Sequence, residues 1–551
     1  MKMGACTCNH KISDWLIGMN GSPLYTLLLR QNGVRGVYSI GRVQTPTLYM
    51  VYQRDQAIKN FKPEPYFELN AEILANQQKF VAKLDPYQRF KDEKGLLAFM
   101  QAKNVQKGSQ DGLIKDVQKQ VKKRASPQLF SLSSLQSAMN KRYHASASQT
   151  LAAIQSLYEA KLLSYPRTDC AYITDEEFEY LVANLTKYLG LVSKQVAVTN
   201  TTPNKRYVNG KKVEEHYAII MTKVVPTKEK LASLPKLQQQ VYDLVLKTTL
   251  AMFADPYEYE ETTIITQVGD ANFKATGKVP TKQGWQALFD DHKADQQEAT
   301  LPLVHQGDQV QANLQTPQKE TTPPVPFTEG TLITAMKTAG KTLDDEEAQA
   351  ILKDVQGIGT SATRANVLEV LKKRGYLVTE KNKLHVSEAG ITLCKAVELE
   401  PLLTSPEMTA KWEQALQQIS TEERTPDNFL NQIKKFVEKL IADVPTQLTG
   451  SAAIKQQIDH QQQAQKAAEV FLETPQATVL NKQKFYIVKP KQGEDFTLPK
   501  KWSSRTLGKT AIKALFTKGE TSKLKGFKSK KGKSFDAKLK LDGHKLSFDF
   551  D

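Results

Sequence analysis

Apolar positions change period several times along this chain, and each change marks a new element. Trp15 to Leu29 is apolar at helical spacing but contains Gly21-Ser22-Pro23, which predicts two short helices separated by a break. Asn32-Gly33-Val34-Arg35-Gly36 reads as a glycine-rich turn. From Phe67 to about Ile114 the period shortens to alternation, and the same texture returns from Tyr257 to Thr266, so both segments predict strands. Between them, from about Leu129 to Phe253, the pattern is helical. Leu151, Ile154, Leu157, Tyr158 and Leu162 keep the spacing of a helix that packs one face inward and leads straight to Tyr165. If the two strand-rich segments form one β-rich unit, the chain leaves it, builds a helical domain and returns.

Further on, Gly357 to Arg374 reads as a glycine turn, a cap at Thr360 or Ser361, and a helix that stops at Lys372-Lys373-Arg374-Gly375. A helical stretch ends near Val444, and the Gln-rich segment Ala452 to Val470 predicts a polar helical linker. Phe485 to Phe550 then alternates aromatics with lysines.

Composition adds a partner to this picture. A length of 551 residues suggests roughly four domains, and 40% hydrophobic content is enough for real cores. The net charge of +17 and a pI near 9.3 point to a polyanion. Between Lys501 and Lys540 there are 13 Lys/Arg against 2 Asp/Glu. Charge of that density supplies sequence-independent, salt-sensitive affinity for phosphate backbones. Cys6, Cys8, Cys170 and Cys394 offer no Cys-x-x-Cys pair, so neither a zinc ribbon nor a disulfide framework is supported. No signal peptide is visible, and no apolar run reaches the ~20 residues that a bilayer span needs. A reducing, cytoplasmic setting without membrane contact is the expectation.

The candidate chemistry centres on Ser164-Tyr165-Pro166-Arg167-Thr168-Asp169. A phenol has an unperturbed pKa near ~10, so an attacking tyrosine needs its developing phenolate stabilised, and a guanidinium two residues away can do this while gripping a phosphate oxygen. Pro166 pushes Tyr165 out of the helical region and presents the phenol on a turn. A plain Tyr-Pro turn after a helix would have the same local sequence. His216, beside an Ala-Ile-Ile run, admits two readings: a core or edge histidine, or an imidazole on a phosphate oxygen. Thr360 and Arg364 open a capped helix whose free amides suit an anion, although winged-helix packing alone would explain the pattern.

Ser39-Ile40-Gly41-Arg42-Val43-Gln44-Thr45-Pro46, the Tyr165 hexapeptide, His216-Tyr217-Ala218-Ile219-Ile220-Met221-Thr222 and Gly357-Ile358-Gly359-Thr360-Ser361-Ala362-Thr363-Arg364 resemble, in order, signatures of the type IA DNA topoisomerases. The similarity is closest to the bacterial topoisomerase III branch and runs from about Asp14 to the end of the chain. It departs from the family at Met221, where proline is usual, and at Tyr217, where a second histidine is common. The resemblance implies a mixed α and β multidomain fold: a toroid of helical domains and a β-rich arch, with a small basic C-terminal domain. It also implies Tyr165, Arg167 and His216 as catalytic residues. Ser39, Ile40, Gly41, Arg42, Val43, Gln44, Thr45, Arg35, Thr360, Arg364, Lys525 and Lys528 are the expected DNA contacts.

The expected division is as follows: 1–62 is the first part of the helical DNA-binding base, 63–128 the first part of the arch, and 129–254 the helical domain carrying the tyrosine. The arch then resumes over 255–325 and the base over 326–445. A linker over 446–480 and a basic DNA-binding repeat over 481–551 follow. The family's magnesium is held by acidic residues of a Toprim domain that precedes the segment beginning here at Asp14, and those ligands are not found in this chain. The expected activity is ATP-independent cleavage of single-stranded DNA through a 5′-phosphotyrosyl link, strand passage and religation. The alternatives are a non-catalytic single-strand-binding remnant, or half of a split enzyme completed by a separate Toprim-bearing chain.

Overall fold

The computed structural model describes residues 2–194, 196–289, 301–342, 346–354, 357–529 and 531–551. Residues 1–14, 41–390 and 401–431 form one unit, and residues 15–40, 391–400 and 432–551 form another.

In the first unit, the alternating segments close into a six-stranded antiparallel barrel. Asn70–Ala75 pairs with Gln78–Asp85, then Ala271–Lys282, Tyr257–Val268, Gly108–Arg124 and Gln309–Gln315, which returns to Asn70–Ala75. Inward positions mix small and large side chains, among them Ala71, Ile73, Ala82, Ile264, Phe273 and Leu314, and closure leaves no open edge. Each large side chain buried this way contributes about 1.5–3 kcal/mol. The alternation hid one helix, Glu93–Ala102. Asp92 caps it by accepting from the Gly95 N–H, and Leu96 and Met100, four apart, bury its inner face.

Beyond the barrel, Gly108–Arg124 runs on as a ribbon against Tyr257–Val268, with Lys123 on Glu258 at 2.9 Å, Lys119 on Glu260 at 3.6 Å, and Lys122 on Glu261. Such exposed cross-strand pairs contribute about 0.2–1 kcal/mol each. The helices between these strands share their own core, which includes Leu135, Ile154, Leu157, Phe178, Tyr188 and Val245. The helix expected to run into Tyr165 ends earlier. It spans Ala147–Glu159, and Lys161 turns left-handed at φ 59°, so that Leu163 bridges to Met221 instead of adding a further helical turn.

A polar seam fastens this helical insert to the later helices of the same unit. The Ala147 N–H donates to Glu329 at 2.8 Å, and Ser148 Oγ donates to Glu369 at 2.8 Å. Lys372 then bridges Glu329 and Glu369 at 2.8 and 2.5 Å. The helix Ser361–Lys373 begins at Thr360 with a reciprocal Thr360/Thr363 capping box.

The break expected at Gly21-Ser22-Pro23 does not occur: Lys2–Gln31 is one helix with Pro23 inside it. Within the second unit the returning chain supports it there. Ser22 Oγ donates to the Ile40 carbonyl and accepts from the Ile40 N–H, and a Cβ on Gly21 would fall 2.3 Å from the Ile40 side chain. The Gln-rich stretch is the helix Ala452–Glu469, and it is packed. Gln461 is 1% exposed and donates to the Tyr38 hydroxyl at 2.7 Å, while Gln462 donates to the Asn32 carbonyl at 2.9 Å. The C-terminal strands surround a core with Phe527, Val488 and Leu539, against which Trp502 packs. Phe527 is therefore core, and exposed lysines such as Lys525 and Lys528 remain to meet solvent.

Candidate nucleic-acid cleavage site

Residues 163–172 are clamped against 216–222, and the clamp explains the hexapeptide residue by residue. Ser164 is buried; its Oγ donates to the Ala218 carbonyl and accepts from the Ile220 N–H, both at 2.9 Å. Its own N–H donates to the Ile220 carbonyl, also at 2.9 Å. Thr168, 3% exposed, donates from Oγ1 to the His216 carbonyl at 3.0 Å and accepts from the Cys170 N–H. The opposite side of the 218–222 run is held by Tyr180 and Tyr188, whose hydroxyls donate to the carbonyls of Met221 and Thr222. Burial raises both phenols above the ordinary tyrosine range, Tyr188 to about 12, so they stay protonated donors.

Between these anchors Tyr165 is half-buried and Arg167 exposed. The Tyr165 ring lies 4.2 Å from the His216 ring, centroid to centroid, and meets Tyr158 edge-on at 5.6 Å. His216 is itself exposed, so the core reading of it does not hold. Among the described residues, Arg167 has no ion pair or hydrogen bond from its guanidinium. The turn thus offers a phenol, an imidazole against it and an uncommitted cation.

Asp169, which sequence reasoning passed over, links this turn to the capped helix. Its Oδ2 accepts from the Ser361 N–H at 3.3 Å, and its Oδ1 lies 3.7 Å from Arg364. The helix N-terminus predicted to take an anion therefore already holds one, supplied by the last residue of the tyrosine hexapeptide. Its position at the end of that hexapeptide was the only available signal; the partner is 192 residues away.

Arg364 itself has no exposed surface. It donates to the carbonyls of Ile358 and Gly359 at 3.1 and 2.6 Å and to Ser133 Oγ at 3.0 Å. Burial lowers its pKa, with Asp169 opposing. The loop it holds needs glycine: Gly357, at φ 88°, leaves a Cβ only 2.1 Å from the Met336 carbonyl. Lys337, beside Asp169, is held below the usual lysine range by burial, which outweighs the opposing pull of Asp169. Thr360 is exposed.

The first motif joins the same cluster through Val43, which packs against Met336 and Ile358. Gln44 and Thr45 begin the helix Gln44–Lys59, and Thr45 Oγ1 accepts from the Gly41 N–H. Gln44 Oε1 accepts from Arg374 at 3.2 Å. Arg42 is 4% exposed, paired at 2.9 Å with both Asp14 and Glu413, and 5.4 Å from the Trp412 ring. Burial lowers its pKa, but the two carboxylates outweigh that and raise it. Ser39 and Ile40 are buried. Arg35 is exposed and pairs with Glu469 at 3.2 Å in the second unit, which also carries Lys525 and Lys528 on its last strands.

Among the described residues no group of three or more His, Cys, Asp or Glu is placed to hold a metal ion. No helix there is long and apolar enough to cross a membrane. The side chains of Cys6 and Cys8 lie outside what is described, and Cys170 and Cys394 are unbridged.

The family model described as DNA topoisomerase matches residues 7–431, and one described as the C-terminal repeat of topoisomerase matches residues 493–551. The DNA topoisomerase 3 of Pasteurella multocida is 33% identical over 460 residues, covering 78% of this chain and 69% of that protein. That of Bacillus licheniformis is 34% identical over 451 residues, covering 78% and 59%. The full-length topoisomerase I of Thermotoga maritima shares the fold at a TM-score of 0.60 and 20% identity, over 92% of this chain and 77% of that one. The chain belongs to the type IA DNA topoisomerases, and the relatives it matches are of the topoisomerase 3 kind.

Proposed function

We propose that this chain cleaves and rejoins single-stranded DNA through Tyr165, with strand passage between the two steps and no need for ATP. In the forward step the Tyr165 oxygen bonds to phosphorus, the bond from phosphorus to the 3′ oxygen breaks, and the proton released by the phenol is balanced by one gained at the leaving 3′-hydroxyl. The 5′-phosphotyrosyl link conserves the energy of the ester it replaces, so the 3′-hydroxyl can reverse it. Arg167 stabilises charge on the non-bridging oxygens, and His216, against the Tyr165 ring, reaches the same phosphate. Magnesium belongs to the expected chemistry of the family, but every step assigned here runs through this chain's own side chains.

The observation that carries this reading is the Tyr165, His216 and Arg167 arrangement on a turn clamped from both sides. It is tested by a denaturing-gel adduct assay with end-labelled single-stranded DNA and magnesium, with and without an added Toprim domain from a relative. The parent chain forms an adduct in at least one lane, and Tyr165→Phe binds the strand but forms none; an adduct surviving that change sinks the assignment. An adduct seen only with the added domain identifies a Toprim-bearing chain as a partner. Strand binding without an adduct in either lane identifies a non-catalytic remnant.

A further inference from the structure

Beyond the nucleophile, the same turn continues along the wall of a cavity of about 830 Å3. That volume falls within the roughly 300–1,000 Å3 of ordinary ligand sites. Among the described residues its charged lining is Asp169, Lys212, Lys337, Lys341 and Lys353, four ammonium groups against one carboxylate. The carboxylate is already engaged by the Ser361 N–H and by Arg364, so it does little to balance the lysines. Lys212 is held in place: its Nζ donates to the Tyr172 hydroxyl at 3.2 Å and stands 4.8 Å from that ring's centroid. A concave wall with this surplus of positive charge concentrates anions.

Location selects among anions. Asp169 is four residues from Tyr165, a span of at most about 14 Å, so a strand held at the phenol passes this wall within a few phosphates. We propose that the cavity is a subsite for backbone phosphates of the single strand flanking the break, held on Lys212, Lys337 and Lys341. The subsite rests on the reading of Tyr165 given above and adds to it the part of this chain that would fix the strand's position beside the nucleophile. A free phosphate ion would use the same chemistry, and the test separates the two sources.

Cys170 lines the cavity with a partly exposed thiol and serves as a reporter. The full chain is treated with iodoacetamide alone, with a short single-stranded oligonucleotide, or with inorganic phosphate at matched phosphate concentration, and alkylation of Cys170 is read by peptide mass spectrometry. Strand binding is followed in parallel by fluorescence anisotropy over a range of salt. The oligonucleotide is expected to slow alkylation several-fold and phosphate to leave it unchanged. The K212Q/K341Q double variant should lose the protection and lower the salt slope by about 1.4, from about 0.7 per single-strand contact. Equal protection by phosphate, or none by an oligonucleotide that anisotropy shows to be bound, overturns the subsite while leaving the Tyr165 reading intact. Failure of the parent chain to bind the strand at all overturns both.

Discussion

Arg167 and Arg364 stand in two motifs of the same family and were read from sequence as serving the same polyanion, yet the structure gives them opposite surroundings. Arg167 is exposed on the Tyr165 turn, with no protein partner for its guanidinium among the described residues. Arg364 is fully buried and donates to two carbonyls and a serine hydroxyl while facing Asp169. A guanidinium can grip a phosphate at little cost only if its donors are uncommitted; one already satisfied inside the protein must first break those bonds. Arg42, twice paired and 4% exposed, falls with Arg364. The contrast separates an arginine exposed on its turn from arginines whose donors are engaged inside the protein.

Breaking the buried side of this contrast should have the largest effect. Arg364→Met keeps much of the volume but takes the donor from the buried Ile358 and Gly359 carbonyls and the cation from beside Asp169, and each buried acceptor left unsatisfied costs about 1–3 kcal/mol. The unfolding midpoint in urea should fall accordingly. A variant that stays as stable as the parent but loses strand affinity would place Arg364 with Arg167. Arg167→Ala should do the reverse: an unchanged midpoint, with adduct formation slower by about 100- to 1,000-fold, the usual cost of one preorganised donor to a developing charge. Single-turnover cleavage measured beside the unfolding curve decides it.

How much of this was legible depended on range. The tyrosine turn, the strand alternation and the Thr360-capped helix follow from residues within one or two turns of each other, and the structure has all three. What the sequence could not display was contact at a distance. Asp169 fills the helix N-terminus that had looked open to a ligand. Pro23 stays inside a helix because Ser22 and Gly21 receive Ile40. The glutamines of Ala452–Glu469 looked like linker composition but find backbone carbonyls and a tyrosine to bond. Helix Glu93–Ala102 was missed because an alternating stretch on either side masked a short period.

The seam between the helical insert and the later helices offers a smaller effect that depends on pH. Burial alone would raise the Glu369 pKa, but hydrogen bonds from Lys372 and Ser148 outweigh it and hold it below the ordinary carboxylate value. A depressed folded pKa means that the contribution is present above the unfolded value, near about 4.3, and is lost as pH falls through the folded one. Because Glu369 is 41% exposed, solvent screening keeps this to about 0.5–1 kcal/mol. Glu369→Gln should be less stable than the parent at pH 7 by that amount, and the gap should close as the pH is lowered below about 4. A gap that stays constant through that range would show that the carboxylate's charge is not what holds the seam.

The smallest expected effect tests whether exposure alone is enough to make a cation act on DNA. Lys525 and Lys528 are exposed on a C-terminal strand, while Phe527 between them is buried in the core of that region. Substitution of the lysines therefore leaves the core intact, and K525Q/K528Q should unfold at the parent's midpoint. If both ammonium groups meet phosphates, strand affinity weakens modestly at low salt and the slope of log K against log salt falls by about 1.4, two contacts at about 0.7 each. The rate of adduct formation at saturating DNA stays the same, because neither residue belongs to the unit that carries Tyr165. An unchanged slope would mean that an uncommitted cation needs more than exposure, and that what distinguishes Arg167 is its place two residues from Tyr165.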